Sequence, residues 1–165
     1  MFDNVSDAEL IGGMGAAARA ESAAIAQRLA AVGEWFARRS VEWAHRELWC
    51  ADPLAAVAAE VSAAQNISRG RAGNQICLAR ELRERLPRVA AAFAAGDIDF
   101  RMVSAIVNRT SNVTADAIAQ VDAALAGVAR TWMKLSGPKL ADRIDLWIAK
   151  FDADGVRVPP DVDEQ

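Results

Sequence analysis

Tyrosine is absent, histidine occurs once and cysteine twice, and lysine is outnumbered by arginine 3 to 16. Each scarcity excludes something. The lone His45 rules out any site that needs a histidine pair, and it has no visible nucleophile or orienting partner beside it, so a surface or packing role is expected. Cys50 and Cys77 are too few for a disulfide framework or a structural zinc site and form no C-x-x-C pair; both are expected to be buried small hydrophobes. No apolar run approaches the roughly 18 residues of a membrane span, and the first ten residues are acidic where a signal peptide is basic. The expectation is a soluble, reduced, cytoplasmic protein with no membrane partner. No P-loop, dinucleotide fingerprint, H-E-x-x-H or G-x-S-x-G motif occurs, so no cofactor and no catalytic residue is assigned.

What the chain has in excess is alanine, with 37 of 165 positions. Apolar residues make up 53% and charged residues 25%, which is neither a disordered nor a membrane composition. Alanine is the best helix former and a poor filler of space, so the fold class expected is all-α. About six or seven helices in an orthogonal bundle should pack with the tryptophans, phenylalanines and scattered Leu, Ile and Val between them.

The helix signals follow in order. Ser6-Asp7-Ala8-Glu9 is a capping box. The helix it opens is loosened by Gly12, Gly13 and Gly15 and strengthened by the stripe Ile25, Leu29, Val32 and Phe36. Trp35, Trp43 and Trp49 extend it, as one helix or two. Asp52-Pro53 starts a second helix running to about Gln65, Ser68 caps a third running to about Arg85, and Pro87 opens a fourth closed by Gly96. Asp99, Thr114 and Ser136 cap three more, the last with an apolar face of Leu140, Ile144, Trp147, Ile148 and Phe151. The Gly96-Asp97-Ile98-Asp99 carboxylates read as a helix stop and a cap rather than an acid–base pair. Asp142, Asp145, Asp152 and Asp154 have no metal-site spacing. A helical domain over 1–151 and a linker or frayed tail over 152–165 are expected, as though the chain stopped partway into something larger.

The net charge of −3 conceals a basic middle. Residues 67–113 carry eight arginines against four acids, whereas the flanks on either side are acidic. Arginine forks suit phosphates and base edges. They equally suit pairing with the acidic flanks, and charge distribution alone favours that plainer reading.

The stretch from Glu60 through Asn66-Ile67-Ser68-Arg69-Gly70-Arg71 to Ile76 has the spacing of a helix-turn-helix. A small-residue helix meets a left-handed turn at Asn66, an apolar plug at Ile67 and a cap at Ser68. The second helix would point Arg69, Arg71, Asn74 and Gln75 outward and Ala72 and Ile76 inward. Gln65, in an apolar slot, and the helix-weakening Gly70 and Gly73 count against it, and a plain helical hairpin is the alternative. Ser68, Arg69, Arg71, Asn74 and Gln75 are the candidate DNA contacts, with Arg80 and Arg83 as weaker backbone contacts.

Ile67-Ser68-Arg69-Gly70-Arg71-Ala72, Leu78 through Pro87 and Ala94-Ala95-Gly96-Asp97-Ile98-Asp99, with Trp132, Leu135-Ser136, Lys139-Leu140 and Ile144 through Ile148, resemble the actinobacterial domain of unknown function 222. The likeness is particularly to the mycobacterial 13E12 repeat proteins and runs from about residue 40 to 158. Longer members often carry an HNH nuclease domain after this helical region and are associated with mobile or prophage-linked loci. The resemblance therefore implies a DNA-related role. With one histidine, this chain lacks the HNH residues, and no catalytic position carries over. The reading is a non-catalytic module that binds double-stranded DNA or targets a nuclease to it. The alternatives are a helical protein–protein interaction module, self-association included, or a truncated repeat fragment with no nucleic-acid role.

Overall fold

The structure, a computed structural model, describes residues 5–46 and 52–156, without the side chains of residues 44–46. The His45 side chain, Trp49 and Cys50 therefore lie outside the described residues. The fold is all-α. Helices α1 (Asp7–Arg46), α2 (Pro53–Gln65), α3 (Arg69–Glu84), α4 (Pro87–Ala94), α5 (Phe100–Arg109), α6 (Ala115–Val128) and α7 (Gly137–Ile148) follow one another, with a 3₁₀ turn at Ala129–Trp132 after α6.

Helix α1 is continuous despite Gly12, Gly13 and Gly15 in its first turns, all three exposed. Its start is the expected capping box: the Ser6 and Glu9 backbone amides donate to each other's side chains at 2.9 and 3.3 Å. At 40 residues it is about 60 Å long. Its first three turns touch little, and burial starts at Ser22 and proceeds through Ala26, Leu29, Val32 and Gly33 at helical spacing. Ile25 and Phe36 flank this stripe half-buried. Along that face α1 packs on α2, α3 and α4. Helices α3 and α4 in turn support α5 and α6, and α7 closes the far side against α5 and α6.

Two close approaches set the spacing of α1. A Cβ on Gly33 would sit 3.4 Å from the Ala79 Cβ, so α1 and α3 meet backbone to backbone. Gly96, at φ +73°, ends the α4 turn under α1, where a Cβ would lie 2.6 Å from the Arg19 carbonyl oxygen. Only glycine meets both demands.

Helix α4 begins with Leu86, which offers no side-chain cap. Pro87 has no amide to satisfy, but Arg88 and Val89 do. Both donate to Asp122 of α6, at 2.9 Å each, and that carboxylate is buried. Thr114 and Ser136 precede α6 and α7 as expected, but neither side chain makes a cap bond. The Thr114 amide donates instead to Asp152 at 2.8 Å, and the Gly155 amide donates to the same carboxylate at 3.1 Å. Residues 152–156, just beyond the expected boundary at 151, thus form a turn docked on Val113 and Thr114.

Two packing expectations are corrected. Trp132 is buried and Trp43 and Trp147 are half-buried, but Trp35 is exposed. Its indole donates to Glu60 at 2.7 Å, and the Arg39 guanidinium stacks over it at 4.6 Å. A polar partner on α2 holds the ring at the surface rather than in the core. Cys77 is likewise exposed, because it sits on α3 opposite the inward row of Ala72, Ile76 and Ala79.

Asp122→Ala would strand two amides at the start of α4, and a loss of about 3 kcal/mol in urea unfolding is expected. The Asp152 carboxyl is held below its ordinary value of 3.8, chiefly by the Thr114 amide. A depressed folded pKa adds stability that is complete above the unfolded pKa and is lost as pH falls through the folded one. Thermal midpoints measured down to acid pH should therefore fall more steeply for the parent than for Asp152→Asn.

Candidate nucleic-acid interface

The α2–α3 hairpin is built from local chemistry. Asp52 accepts from the Ala55 amide at 3.0 Å and Pro53 begins α2. Val57, Ala58 and Val61 bury one face of α2, and α2 packs extensively on α3. Asn66 adopts the left-handed conformation at φ 51° and ψ 49°, with no Cβ-free residue needed because asparagine tolerates it. The Ile67 amide donates to the Ser62 carbonyl at 3.1 Å, and the Ser62 hydroxyl donates back to the Ile67 carbonyl at 2.5 Å. Ile67 is thus clamped from both sides and packs half-buried on the core. Ser68 then caps α3 by accepting from the Arg71 amide at 3.3 Å.

Beyond the cap, Ala72 and Ile76 are fully buried, which fixes the rotation of α3. Arg69, Arg71 and Asn74 consequently face solvent, as the spacing implied. Gln75 does not. It is half-buried, and its Oε1 is enclosed without a hydrogen-bond partner.

The eight arginines of the basic segment divide by their partners. Arg85 donates to Glu81 at 2.7 Å and to the carbonyls of Thr110 and Val113 at 3.1 and 2.7 Å, tying the α5–α6 loop to α3. Arg101 donates to the carbonyls of Leu135 and Met133, each at 2.9 Å. Arg109 grips Asp145 of α7 with two parallel bonds, one of them 2.6 Å long. Arg83 pairs with Glu34 of α1 at 2.5 Å and holds that carboxyl below its ordinary value. Arg80 pairs with Glu84 at 3.5 Å and stacks on Phe36 at 4.9 Å. Arg80 and Arg83 are therefore turned toward α1 and already matched with acids. Among the described residues Arg69 and Arg71 have no such partner, and neither does the exposed side chain of Arg88. Only Arg83 and Arg109 reach acids of the flanks; Arg80 and Arg85 pair within the segment and Arg101 holds backbone carbonyls, and the hairpin cations are left over.

Sequence reasoning missed one contributor. Arg28 of α1, also exposed, joins Arg71, Asn74 and Gln75 along an open groove of about 820 Å³ between α1, α3 and α5. Nothing in its local pattern set it apart from the other α1 arginines. Among the described residues no group of three or more His, Cys, Asp or Glu could hold a metal ion, and no helix is long and apolar enough to cross a membrane.

The model of the Domain of unknown function (DUF222) matches residues 16–165, which covers the hairpin and every helix after it. The chain belongs to the DUF222 family. It is 42% identical over 155 residues to a Mycobacterium tuberculosis protein named as uncharacterized in est 3'region, a match over 93% of this chain and 44% of that protein. It is equally 42% identical to uncharacterized protein Rv3776 of the same species, covering 30% of it, and to uncharacterized protein Rv2100, covering 27%. This DUF222 chain thus spans less than half the length of these curated relatives. No solved structure matches it at a significant level.

Gly70 and Gly73 lie on the same helix as the candidate contacts, and a Cβ at either would meet nothing within 4 Å. Neither packing nor a positive φ requires them. The double substitution Gly70→Ala/Gly73→Ala is expected to raise stability by about 1–2 kcal/mol in denaturant titration.

Proposed function

We propose that this DUF222 chain is a DNA-binding module without catalytic machinery of its own, docking the N-terminal turns of α3 on duplex DNA. The reading rests on one observation above the others. Arg69 and Arg71 project from the capped start of α3 unpaired among the described residues, while Arg80, Arg83, Arg85, Arg101 and Arg109 are bound internally. Two unpaired guanidiniums beside the exposed Asn74 suit phosphates and base edges. Clamping of Ile67 gives them a rigid base, because the turn cannot pivot without breaking both Ser62 bonds. Glycines at 70 and 73 suit close approach of a nucleic-acid backbone to this helix. Targeting of a nuclease carried elsewhere in a longer protein belongs to the same reading, through the resemblance to the 13E12 repeat proteins.

Self-association is the second reading. An alanine-walled groove of about 800 Å³ between α1, α3 and α4 and the exposed Ile11 and Met14 on the free end of α1 favour it.

Fluorescence anisotropy with labelled duplex DNA across a salt series tests the first reading. Parent binding should weaken by about 0.9 log unit per log unit of salt for each phosphate contact. Arg69→Glu/Arg71→Glu should abolish it while the circular dichroism spectrum stays that of the parent. A folded parent that binds no duplex at low salt overturns the DNA reading. Association that persists in the charge-reversed variant supports the second.

A further inference from the structure

We infer that the groove between α1, α3 and α5 is a site for a single unpaired adenine nucleotide, distinct in its demands from duplex docking by Arg69. Four features converge there. The groove is about 820 Å³, within the range of small-molecule sites. Gln75 lines it with an enclosed Oε1 that has no partner, and buried amide oxygens are ordinarily bonded. Neither amide end bonds to the described protein, and a turn of the half-buried side chain about its terminal torsions brings the enclosed oxygen to the groove, where a ligand offering a donor and an acceptor side by side satisfies both ends. Adenine does so through its N6 amine and N7, the edge a glutamine amide reads.

Arg28 and Arg71 flank the groove from α1 and α3, both exposed and both without a carboxylate partner among the described residues. The acid on its wall, Glu81, is already held by Arg85 at 2.7 Å. A phosphate therefore meets two unmatched cations and no free carboxylate among the described lining residues. Phe100 completes the set. It opens α5 on the groove wall and is 43% exposed, although the core beside it takes Met102, Val103 and Ile106. A flat ring left at a groove wall is a stacking surface for a base.

The same chemistry arrives from two sources: a free adenine nucleotide, or an adenine unstacked from a single strand. Isothermal titration with dAMP and dTMP, and anisotropy with labelled oligo-dA and oligo-dT, separate them. Binding of dAMP in preference to dTMP assigns the site to a free nucleotide. Binding confined to oligo-dA, in preference to oligo-dT, assigns it to an unstacked base in a strand. In either case Gln75→Leu should weaken adenine binding about tenfold and leave thymine binding unchanged. Phe100→Ala, a surface change that leaves the core intact, should weaken binding of whichever adenine ligand binds. Arg69→Glu should leave dAMP binding unchanged, so duplex docking and this site fail separately. No adenine binding in either format, equal affinity for adenine and thymine, or parent-like binding by both Gln75→Leu and Phe100→Ala overturns the proposal.

Discussion

The close contact of α1 with the α3–α4 unit sets the geometry of everything else in this bundle. Gly33 brings the α1 backbone against Ala79, and Gly96 lies directly under the Arg19 carbonyl. Alanine-rich helices have short side chains, so they gain dispersion energy only if their axes come close. These two glycines let them. Once α1 is seated, α2 and α3 dock along it, the hairpin turn is presented at one end of α3, and the groove beside Arg28 takes its walls.

Polar bonds of long sequence range then lock the second half. Asp122 supplies the missing cap of α4, Arg85 fastens the loop between α5 and α6, Arg101 holds the segment after the 3₁₀ turn, and Arg109 joins α5 to α7. Four of these bonds end on backbone carbonyls. An arginine fork can satisfy two carbonyls at once, which lysine's compact ammonium cannot match in geometry. The scarcity of lysine is consistent with this use of arginine as a structural tie. It also sharpens the meaning of Arg69, Arg71 and Arg28, whose forks have nothing to hold among the described residues.

Much of this was legible beforehand because helix boundaries are decided within a few residues. Ser6 with Glu9, Asp52-Pro53, Asn66-Ile67-Ser68 and Asp99 each form bonds spanning three to five positions, and each lies where the pattern put it. The inward row of Ala72 and Ile76 followed from the 3.6-residue period alone. The fates of Trp35, Cys77 and the individual arginines did not follow. Trp35 is kept at the surface by Glu60, 25 positions away, and Arg83 is matched by Glu34, 49 positions away. No local rule selects such a partner from among the chain's acids.

The sequence by itself determined that the chain is all-α, where its helices begin and that the α2–α3 hairpin forms. These depend on caps, turn conformers and periodicity, whose energetics are local. Only the tertiary structure decided which cations remain free, that Gln75 turns an unsatisfied oxygen inward, and that Arg28 and Phe100 share a groove with it. Those are properties of surfaces brought together across the chain, and a side chain's partner exists only once the helices that carry both have packed.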